Sequence, residues 1–350
     1  MGEKFVGRIY SSKRFSNFKI QNSIKLISSK LQNRRSGNTR FFEEVSSSCS
    51  RELENLGFSA EVFLIPGGVG VRFLDESNLD RISTLGHLPI KELDFSRVTS
   101  FDHEGIKGFP LEALSLPWGS STPFRCVKLF NLRRFSAKNS QATDFESLAI
   151  LPIEELNLSG SCVEQLTFTH SMPLAKLDLS MAPVQDLRPL SEKQIEVLNL
   201  QGTKIDSLTP LSNAPLTTLN LNQTAVENLE PLRNSPLKEL QLRKTLVEDL
   251  SPLMESSLEK LFLPGSPVGS ITPLTFCPLK YLNMIGLKVS DLSPLLEMSL
   301  KTLCISPLEL SEEEFTILKQ LDLEHLVGPG DPEMQTVSDF MQKYSHSNAV

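Results

Sequence analysis

The sequence predicts an α/β solenoid, in which similar coils stack side by side instead of closing into one globule. A 21-residue pattern, L-x-x-L-x-L-x-x-T-x-V-x-x-L-x-P-L-x-x-x-P, recurs through residues 174–300, and a period of this length indicates stacked coils. Each copy also contains an L-x-L segment, and such alternation is typical of a strand with one buried face. The pattern starts at seven positions: Leu174, Ile195, Leu216, Leu237, Leu258, Leu279 and Leu300.

The predicted strands pair in parallel, because equivalent residues of successive coils lie one strand spacing, about 4.8 Å, apart. We therefore expect a horseshoe with a parallel β-sheet on its concave face. The return path of each coil has little room for a long helix, and proline there fixes φ and removes a hydrogen-bond donor. Turns and short 3-10 segments are expected on the convex face, where proline recurs at Pro189, Pro210, Pro231, Pro252, Pro273 and Pro294.

The repeat region is predicted to span residues 90–310. Extending the 21-residue grid backwards recovers weaker units, so that ten full units run from 90 to 299. Residues 41–89 are predicted to form an N-terminal cap, with a helix over 42–56 and a β-hairpin that turns at Pro66 and Gly68. Irregular first units fit this assignment, because end repeats must cap the core.

Residues 311–350 are predicted to form a C-terminal cap with helices. Ser311 and Glu314 have the spacing of a capping box, which predicts a helix over 311–320. The strand motif is then copied once more, out of phase with the grid, by Leu318, Leu321 and Leu323. A last helix is expected to begin at Asp331, with aspartate at the N-cap and proline at the first helical position.

The net charge of −7 conceals a strongly basic N-terminal segment. Residues 1–40 are rich in serine and carry ten Lys and Arg against a single acid, a charge of +9, so the remaining 310 residues carry −16. An acidic solenoid is a poor partner for nucleic acid, which needs clustered Lys and Arg. The basic segment has an apolar stripe at helical spacing. The segment is expected either to contact an acidic partner or membrane surface or to fold onto the first coil through this stripe. The composition of the segment also matches a cleaved transit peptide. The stripe consists of Ile20, Ile24, Ile27 and Leu31.

The cysteines and the apolar runs indicate a cytoplasmic protein. Five cysteines is an odd number, and the four within the repeats occupy different positions in their coils, so neighbouring coils do not bring them within bridging distance. Thiols without disulfides are typical of a reducing compartment. No run of 18 apolar residues occurs, and the N-terminus lacks the apolar core of a secretory signal, so neither a transmembrane helix nor a signal peptide is expected.

Two polar columns recur through the repeats. Hydroxyl residues at the bend after each strand are interpreted as structural, because their side chains can bind nearby backbone groups. They are Ser161, Thr203, Thr224, Thr245 and Ser266. The residue between the second and third leucines of each repeat forms a polar ladder on the exposed face, interpreted as a solubility device with cross-strand hydrogen bonds. That ladder consists of Asn157, Asp178, Asn199, Asn220, Gln241 and Asn283 and is interrupted by Phe262.

The interruption of the ladder marks the predicted partner-binding site. Arg243, Phe262 and Tyr281 step diagonally across three successive strands, with Pro264 and Ile285 beside them. Arginine and aromatic anchors on an exposed surface are typical of binding hot spots. Scattered exposed apolar residues, which need no special explanation, are the alternative.

A second candidate for partner binding lies near the N-terminal end of the repeats. The only tryptophan, Trp118, stands in an irregular unit near Arg134 and Lys138. A packing role in the cap is the alternative for this residue.

The L-x-P-L motif of the repeat, which appears as LSPL at residues 250–253 and 292–295, resembles the signature of a known family. The chain is similar to leucine-rich repeat proteins of the short bacterial class. It resembles internalin-type repeats and the repeat regions attached to some bacterial serine/threonine kinases. This resemblance implies a leucine-rich-repeat solenoid over about residues 79–323, but Thr or Ser stands where many members carry Asn, and the fold alone does not name a ligand.

We therefore expect a non-enzymatic scaffold that binds a protein partner on its concave face. The five histidines are scattered, so neither a metal site nor a catalytic triad can be assembled, and no cofactor is expected. The glycine loop, catalytic loop and other motifs of a kinase are missing. Two alternatives stay open: a regulatory or sensory repeat segment of a kinase signalling system that lacks the kinase domain, and an internalin-like surface adhesin.

Overall fold

The computed structural model describes residues 39–307, 310–332 and 335–344. Packing contacts divide the chain into two compact units, Met1–Asp144 (unit 1) and Phe145–Val350 (unit 2). The basic segment up to residue 38, including its predicted apolar stripe, lies outside the described residues. The alternative expectations for this segment and its stripe therefore stay predictions.

Unit 1 begins with the predicted helix and hairpin. Helix α1 (Thr39–Asn55) precedes strand β1 (Ala60–Ile65), which pairs antiparallel with β2 (Gly68–Phe73). Gly67 has a φ of +79°, so glycine supplies the left-handed conformation that the hairpin turn needs. The helix packs against β1 through a face that buries Val45, Cys49 and Leu53.

Three parallel strands continue the sheet of unit 1: β3 (Ile90–Asp94), β4 (Ala113–Ser115) and β5 (Arg134–Ser136). The register of β2 against β3 shifts between Val69 and Gly70, where the sheet changes from the hairpin to the regular coils. Short 3-10 helices over Leu79–Leu85 and Phe124–Val127 form the return paths. The core of unit 1 is aromatic, and the ring of Phe73 stacks on that of Phe95 with centroids 5.2 Å apart.

The described residues of unit 2 contain nine strands in sequence order, and the pairs described are parallel. The leucine in the middle of each of the first eight is buried, while the residues on either side of it point to the opposite face. Because residues exactly one period apart pair across the sheet, as Leu240 does with Leu261, the 21-residue grid is confirmed as the sheet register. The strands are β6 (Glu155–Asn157), β7 (Lys176–Asp178), β8 (Val197–Asn199), β9 (Thr218–Asn220), β10 (Glu239–Gln241), β11 (Lys260–Phe262), β12 (Tyr281–Asn283), β13 (Thr302–Cys304) and β14 (His325–Val327).

Each return path that leads to one of the strands β6–β13 carries a short 3-10 helix, as expected from the sequence. Six of these helices have proline at their first or second position. The backbone N–H at the start of a helix has no acceptor within the helix, so proline costs no hydrogen bond there. The 3-10 helices lie at Phe145–Leu148, Thr167–Thr169, Arg188–Leu190, Thr209–Leu211, Glu230–Leu232, Ser251–Leu253, Thr272–Leu274 and Ser293–Glu297. The predicted α/β leucine-rich-repeat solenoid is confirmed.

The hydroxyl column after the strands has the structural role that the sequence suggests. The hydroxyl of Thr224, which is 5% exposed, donates to the carbonyl of Leu221 at 2.7 Å, and Thr245 bonds Leu242 in the same way. These bonds hold the bend at which the chain leaves the strand. Ser161 differs, because its buried hydroxyl has no hydrogen-bond partner among the described residues.

The cap after the repeats begins as predicted and then departs from the prediction. Helix α2 (Glu312–Gln320) has the full capping box, with Glu314 N–H donating to Ser311 Oγ at 3.2 Å. The strand expected around Leu321 is wrong: Leu318 belongs to α2, and β14 forms a few residues later. The strand motif fails there because the capping box has already committed this stretch to a helix.

The last helix, α3, spans Val337–Tyr344, so the predicted start at Asp331 is also wrong. The Asp331 carboxylate instead accepts hydrogen bonds from the N–H of Gly328 at 3.1 Å and the hydroxyl of Tyr344 at 2.9 Å. Thr336 takes the capping role, because its Oγ1 accepts from the N–H of Asp339 at 3.1 Å. Helix α3 packs against β14 and buries Phe340 completely.

Candidate functional site

The open face of unit 2 is formed by the first and third residues of strands β6–β12 and the first residue of β13, whose side chains point away from the leucine core. These strands are three residues long, so the surface they present is a set of short parallel rows. A surface of this kind offers side chains from many coils to one partner.

The third residue of most strands has a local role that the sequence interpretation missed. The Asn220 side chain accepts a hydrogen bond from the backbone N–H of Asn222 at 3.0 Å, and Asp178 accepts from Ser180 at 2.9 Å. Asparagine and aspartate favour this turn, in which the side chain binds the backbone two residues later. The predicted cross-strand bonds exist as well, as between Asn157 and Asp178 at 3.3 Å. The ladder is therefore first a turn-forming device.

Phe262 occupies this turn-forming position on β11 but has no atom that can accept a hydrogen bond. The residue two positions later is Pro264, which has no backbone N–H to donate. In the next coil the usual bond is present, because Asn283 accepts from the N–H of Ile285 at 3.2 Å. The pair of substitutions therefore places an aromatic ring on the open face without leaving a donor unsatisfied.

Phe262 and Tyr281 form an aromatic pair across β11 and β12. Their ring centroids lie 4.8 Å apart with the planes tilted by 35°. Aromatic pairs in this range gain about 0.5–1.5 kcal/mol beyond their buried area. The Tyr281 hydroxyl lies 3.4 Å from the sulfur of Cys304 on β13. Both rings are half-buried, so part of each stays exposed on the open face.

The other predicted residues of this site flank the aromatic pair. Arg243 follows β10 and is exposed, and its backbone N–H donates to the side chain of Asn222 at 2.8 Å. Ile285 follows β12 and is half-buried. The structure thus joins Phe262 and Tyr281 directly. It places Arg243 after the neighbouring strand β10 and Ile285 after β12, the strand of Tyr281.

Two lysines outside the predicted site also border the aromatic pair. Lys260 pairs with Tyr281 in the strand register, and its ammonium lies 3.7 Å from the carboxylate of Glu239. Lys244 has a φ of +55°, and its side chain extends over Gly265 of the next coil. The left-handed conformation recurs at this position in other coils, where glycine is the common solution.

The second candidate, Trp118, lies in unit 1 and is 68% exposed, so a packing role in the cap is not supported. The N–H of Gly119 donates to the carbonyl of Lys138 at 3.0 Å, which places Trp118 next to the coil of Lys138. Arg134 lies on β5, where its guanidinium donates to Glu92 at 2.6 Å. Arg134 is thus held in an ion pair within unit 1.

The described residues contain no group of three or more His, Cys, Asp or Glu side chains placed to hold a metal ion. None of the five cysteines, all of which lie in the described part of the chain, forms a disulfide. Burial raises the pKa of the Cys49 thiol, and that of the Cys126 thiol, to about 11. A thiol with so high a pKa is a poor nucleophile at neutral pH. Among the described helices, none has the length and apolar character to span a bilayer.

Comparison with known proteins identifies the fold. No protein-family model matches the sequence, and no curated protein matches it. Among solved structures, the chain is similar to an internalin (inlF) from Listeria monocytogenes, at 19% identity over 90% of this chain and 92% of that one, with a TM-score of 0.61. Internalin C2 (inlC2) from the same organism matches at 21% identity over 65% of this chain and 92% of that one, with a TM-score of 0.47. At these identities the first likeness shows the leucine-rich repeat fold of the internalin type and nothing about a ligand.

Proposed function

We propose that this chain, a leucine-rich repeat protein with internalin-type repeats, is a non-enzymatic scaffold that binds a protein partner on the open face of unit 2. Proteins of this fold typically serve as interaction scaffolds, but the fold does not specify where or what they bind. The site we propose is the aromatic–basic patch, which consists of Phe262, Tyr281, Arg243, Lys244 and Lys260.

The observation that carries this proposal is the aromatic pair of Phe262 and Tyr281, 4.8 Å apart on a face that is otherwise mostly polar. Large, rigid rings that keep part of their surface exposed supply binding energy at low entropic cost, and tyrosine and arginine are enriched among interface hot spots. The loss of the asparagine turn at Phe262 is offset within the same coil by Pro264, so the ring is a built-in part of the surface.

The chemistry of the open face favours recognition over catalysis. The aromatic pair and its neighbours supply apolar area and positive charge, and they contain no base paired with a nucleophile. We also propose a cytoplasmic location, which is supported by five cysteines that form no disulfide.

The proposal is tested by affinity capture from cells that express the full chain or its variants. The double variant Phe262→Ser/Tyr281→Ser removes both rings. Phe276→Ser is the matched control, since Phe276 is 74% exposed in the same coil as Phe262 but lies on its return path. Circular dichroism and thermal unfolding verify that each variant is folded.

We expect the double variant to lose the captured partner and the Phe276→Ser variant to retain it. If the folded double variant captures the same proteins in the same amounts as the unaltered chain, the proposed site is wrong. A partner that is lost equally from both variants would also contradict it, because the effect would not be specific to the open face.

A further inference from the structure

We infer that the partner segment bound by the aromatic–basic patch is acidic and also carries apolar or aromatic side chains. This inference rests on the proposed function and adds the chemistry of the partner. It follows from the local charge of the patch, which is opposite in sign to the charge of the whole chain.

The patch is basic although the protein is acidic. Arg243, Lys244 and Lys260 contribute three positive charges next to the aromatic pair. Of the nearby acids, Glu239 lies on β10, and Glu259, which precedes Lys260, is already paired with Lys280 at 3.0 Å. The local charge is therefore about +2, in a chain whose net charge is −7. A positive region of this kind attracts a partner of opposite charge and orients it on approach.

Much of this positive charge is not neutralised within the protein. Lys260 is separated from Glu239 by 3.7 Å, and its side chain is 56% exposed. The same carboxylate of Glu239 also accepts a hydrogen bond from Gln241 at 2.9 Å. Among the described residues, neither Arg243 nor Lys244 has a side-chain nitrogen within 4.0 Å of a carboxylate oxygen. Their charges are therefore available to a ligand.

The basic character is confined to one end of the open face. On β6 and β7, Lys176 is paired with Glu155 at 2.8 Å, and Asp178 adds a further negative charge. An acidic partner would thus be repelled by β6 and β7 and attracted by β10–β12. This difference in charge gives the open face a preferred docking region.

The geometry of the patch fits a protein segment that combines carboxylates with apolar side chains. A guanidinium binds a carboxylate through two parallel hydrogen bonds, and Arg243 at the end of β10 is exposed for such a contact. The rings of Phe262 and Tyr281 lie side by side on β11 and β12, next to the coil of Arg243, and can cover an apolar or aromatic side chain. Nucleic acid is disfavoured, because three cations in an acidic chain give few phosphate contacts.

The inference is tested by selecting from a random peptide library on the immobilised full chain. Enriched peptides are synthesised and their affinities measured by fluorescence anisotropy at low and high salt, next to a single-stranded oligothymidine. The variants are Arg243→Glu and Phe262→Ser. The matched control Lys204→Glu makes the same charge change at an exposed residue on a return path.

We expect the enriched peptides to combine Asp or Glu with Phe, Trp or Leu. Their binding should weaken at high salt and fall by about tenfold or more in Arg243→Glu, since reversing a close interfacial charge costs at least about 1.4 kcal/mol. Lys204→Glu should leave the affinity unchanged, and oligothymidine should not compete.

Three results would overturn the inference: no enrichment, enrichment of basic or uncharged peptides, or tighter binding of oligothymidine than of the peptides. Binding that Phe262→Ser abolishes and Arg243→Glu leaves unchanged would refute the acidic partner while the proposed site stands. Peptide binding that neither variant changes would refute the proposed site itself.

Discussion

Phe262 and Pro264 occupy the positions that Asn283 and Ile285 occupy in the next coil, but they do not form the hydrogen bond that joins Asn283 to Ile285. There, the amide oxygen of Asn283 accepts from the backbone N–H of Ile285 at 3.2 Å. Phe262 offers no acceptor and Pro264 offers no donor, so neither residue leaves the other unsatisfied. The coil therefore keeps its path while it exposes a ring in place of an amide.

This relationship predicts that substitutions at the two positions are not additive. Phe262→Asn alone supplies an acceptor without a donor, and Pro264→Ala alone supplies a donor without an acceptor. The double variant can form the bond that Asn283 makes. A double-mutant cycle measured by urea unfolding should give a favourable coupling of about 0.5–1.5 kcal/mol. Additive free energies would show that the two residues do not compensate each other.

The left-handed residues after the strands predict a contrast between two glycines. Gly286 has a φ of +78°, whereas Gly269 lies outside the left-handed region, and a Cβ added at either would meet no atom within 4 Å. Gly286→Ala should therefore lower the free energy of unfolding by about 1 kcal/mol. Gly269→Ala should leave it unchanged or raise it slightly. Urea unfolding of both variants measures the difference, and equal effects would contradict the assigned conformation.

The hydroxyl column predicts a cost for losing one hydroxyl without changing side-chain shape. Thr224→Val removes the 2.7 Å bond to the carbonyl of Leu221 and should lower the free energy of unfolding by about 1 kcal/mol. Thr218→Val, on the half-buried face of β9, is the control and should be neutral or stabilising, since valine favours strands. A Thr224→Val variant as stable as the unaltered chain would refute the structural role of the column.

Asp94 in unit 1 predicts an acid-dependent loss of stability. Burial raises the pKa of Asp94, but hydrogen bonds from Ser96 and from the Arg72 guanidinium at 2.7 Å outweigh burial and hold this pKa below its ordinary value. Because the pKa is lower in the folded state, the ionised carboxylate stabilises the fold at pH values above its ordinary pKa of about 3.9. This stabilisation is lost as the pH falls through the lowered pKa.

The test compares the free energy of unfolding of the unaltered chain with that of Asp94→Asn between about pH 5 and about pH 2. The unaltered chain should lose more stability over this range, because only it has the carboxylate to protonate. Parallel curves for the two proteins would show that Asp94 does not contribute to acid unfolding.

The repeat period made the fold predictable, because residues one period apart become register partners in neighbouring strands, as Leu240 and Leu261 do. The conformation at the strand ends was less predictable. Met181 has a φ of +61° where the next coil has Gly202, so the residue type does not reveal the left-handed position. The strand after the repeats was misplaced, since two local patterns competed there and the capping box of Ser311 prevailed.

A turn-forming column on the return path was missed, although the sequence contains its signal. The carboxylate of Asp249 accepts from the N–H of Ser251 at 2.8 Å, and Asp291 binds Ser293 in the same way. In the sequence, this column is visible as the recurring motif D-L-S-P-L, in which the aspartate stands two residues before the first residue of the 3-10 helix. The reason it was overlooked is that serine fills the position in other coils, as Ser207 does before Thr209.

The candidate site was predictable in its members but not in its contacts. The alternation of side chains along a strand and the repeat period placed Phe262 and Tyr281 on one face. Their rings are in contact because β11 and β12 are neighbouring strands. The exposure of Trp118, in contrast, depends on how an irregular coil packs, and no periodic pattern reports that. The availability of the Lys260 charge to a partner depends on its distance of 3.7 Å from Glu239, and the sequence does not reveal this distance.

The most direct test of partner binding by the open face is photo-crosslinking in cells from a single position. Gln241 lies opposite Phe262 in the sheet register, so p-benzoylphenylalanine at position 241 reports on the patch while the aromatic pair stays intact. The same probe at position 276, on the return path, is the control. We predict a crosslink to a protein partner from position 241 that is lost when Phe262→Ser and Tyr281→Ser are added, and none from position 276. No crosslink from position 241, or the same crosslinks from both positions, would contradict the account.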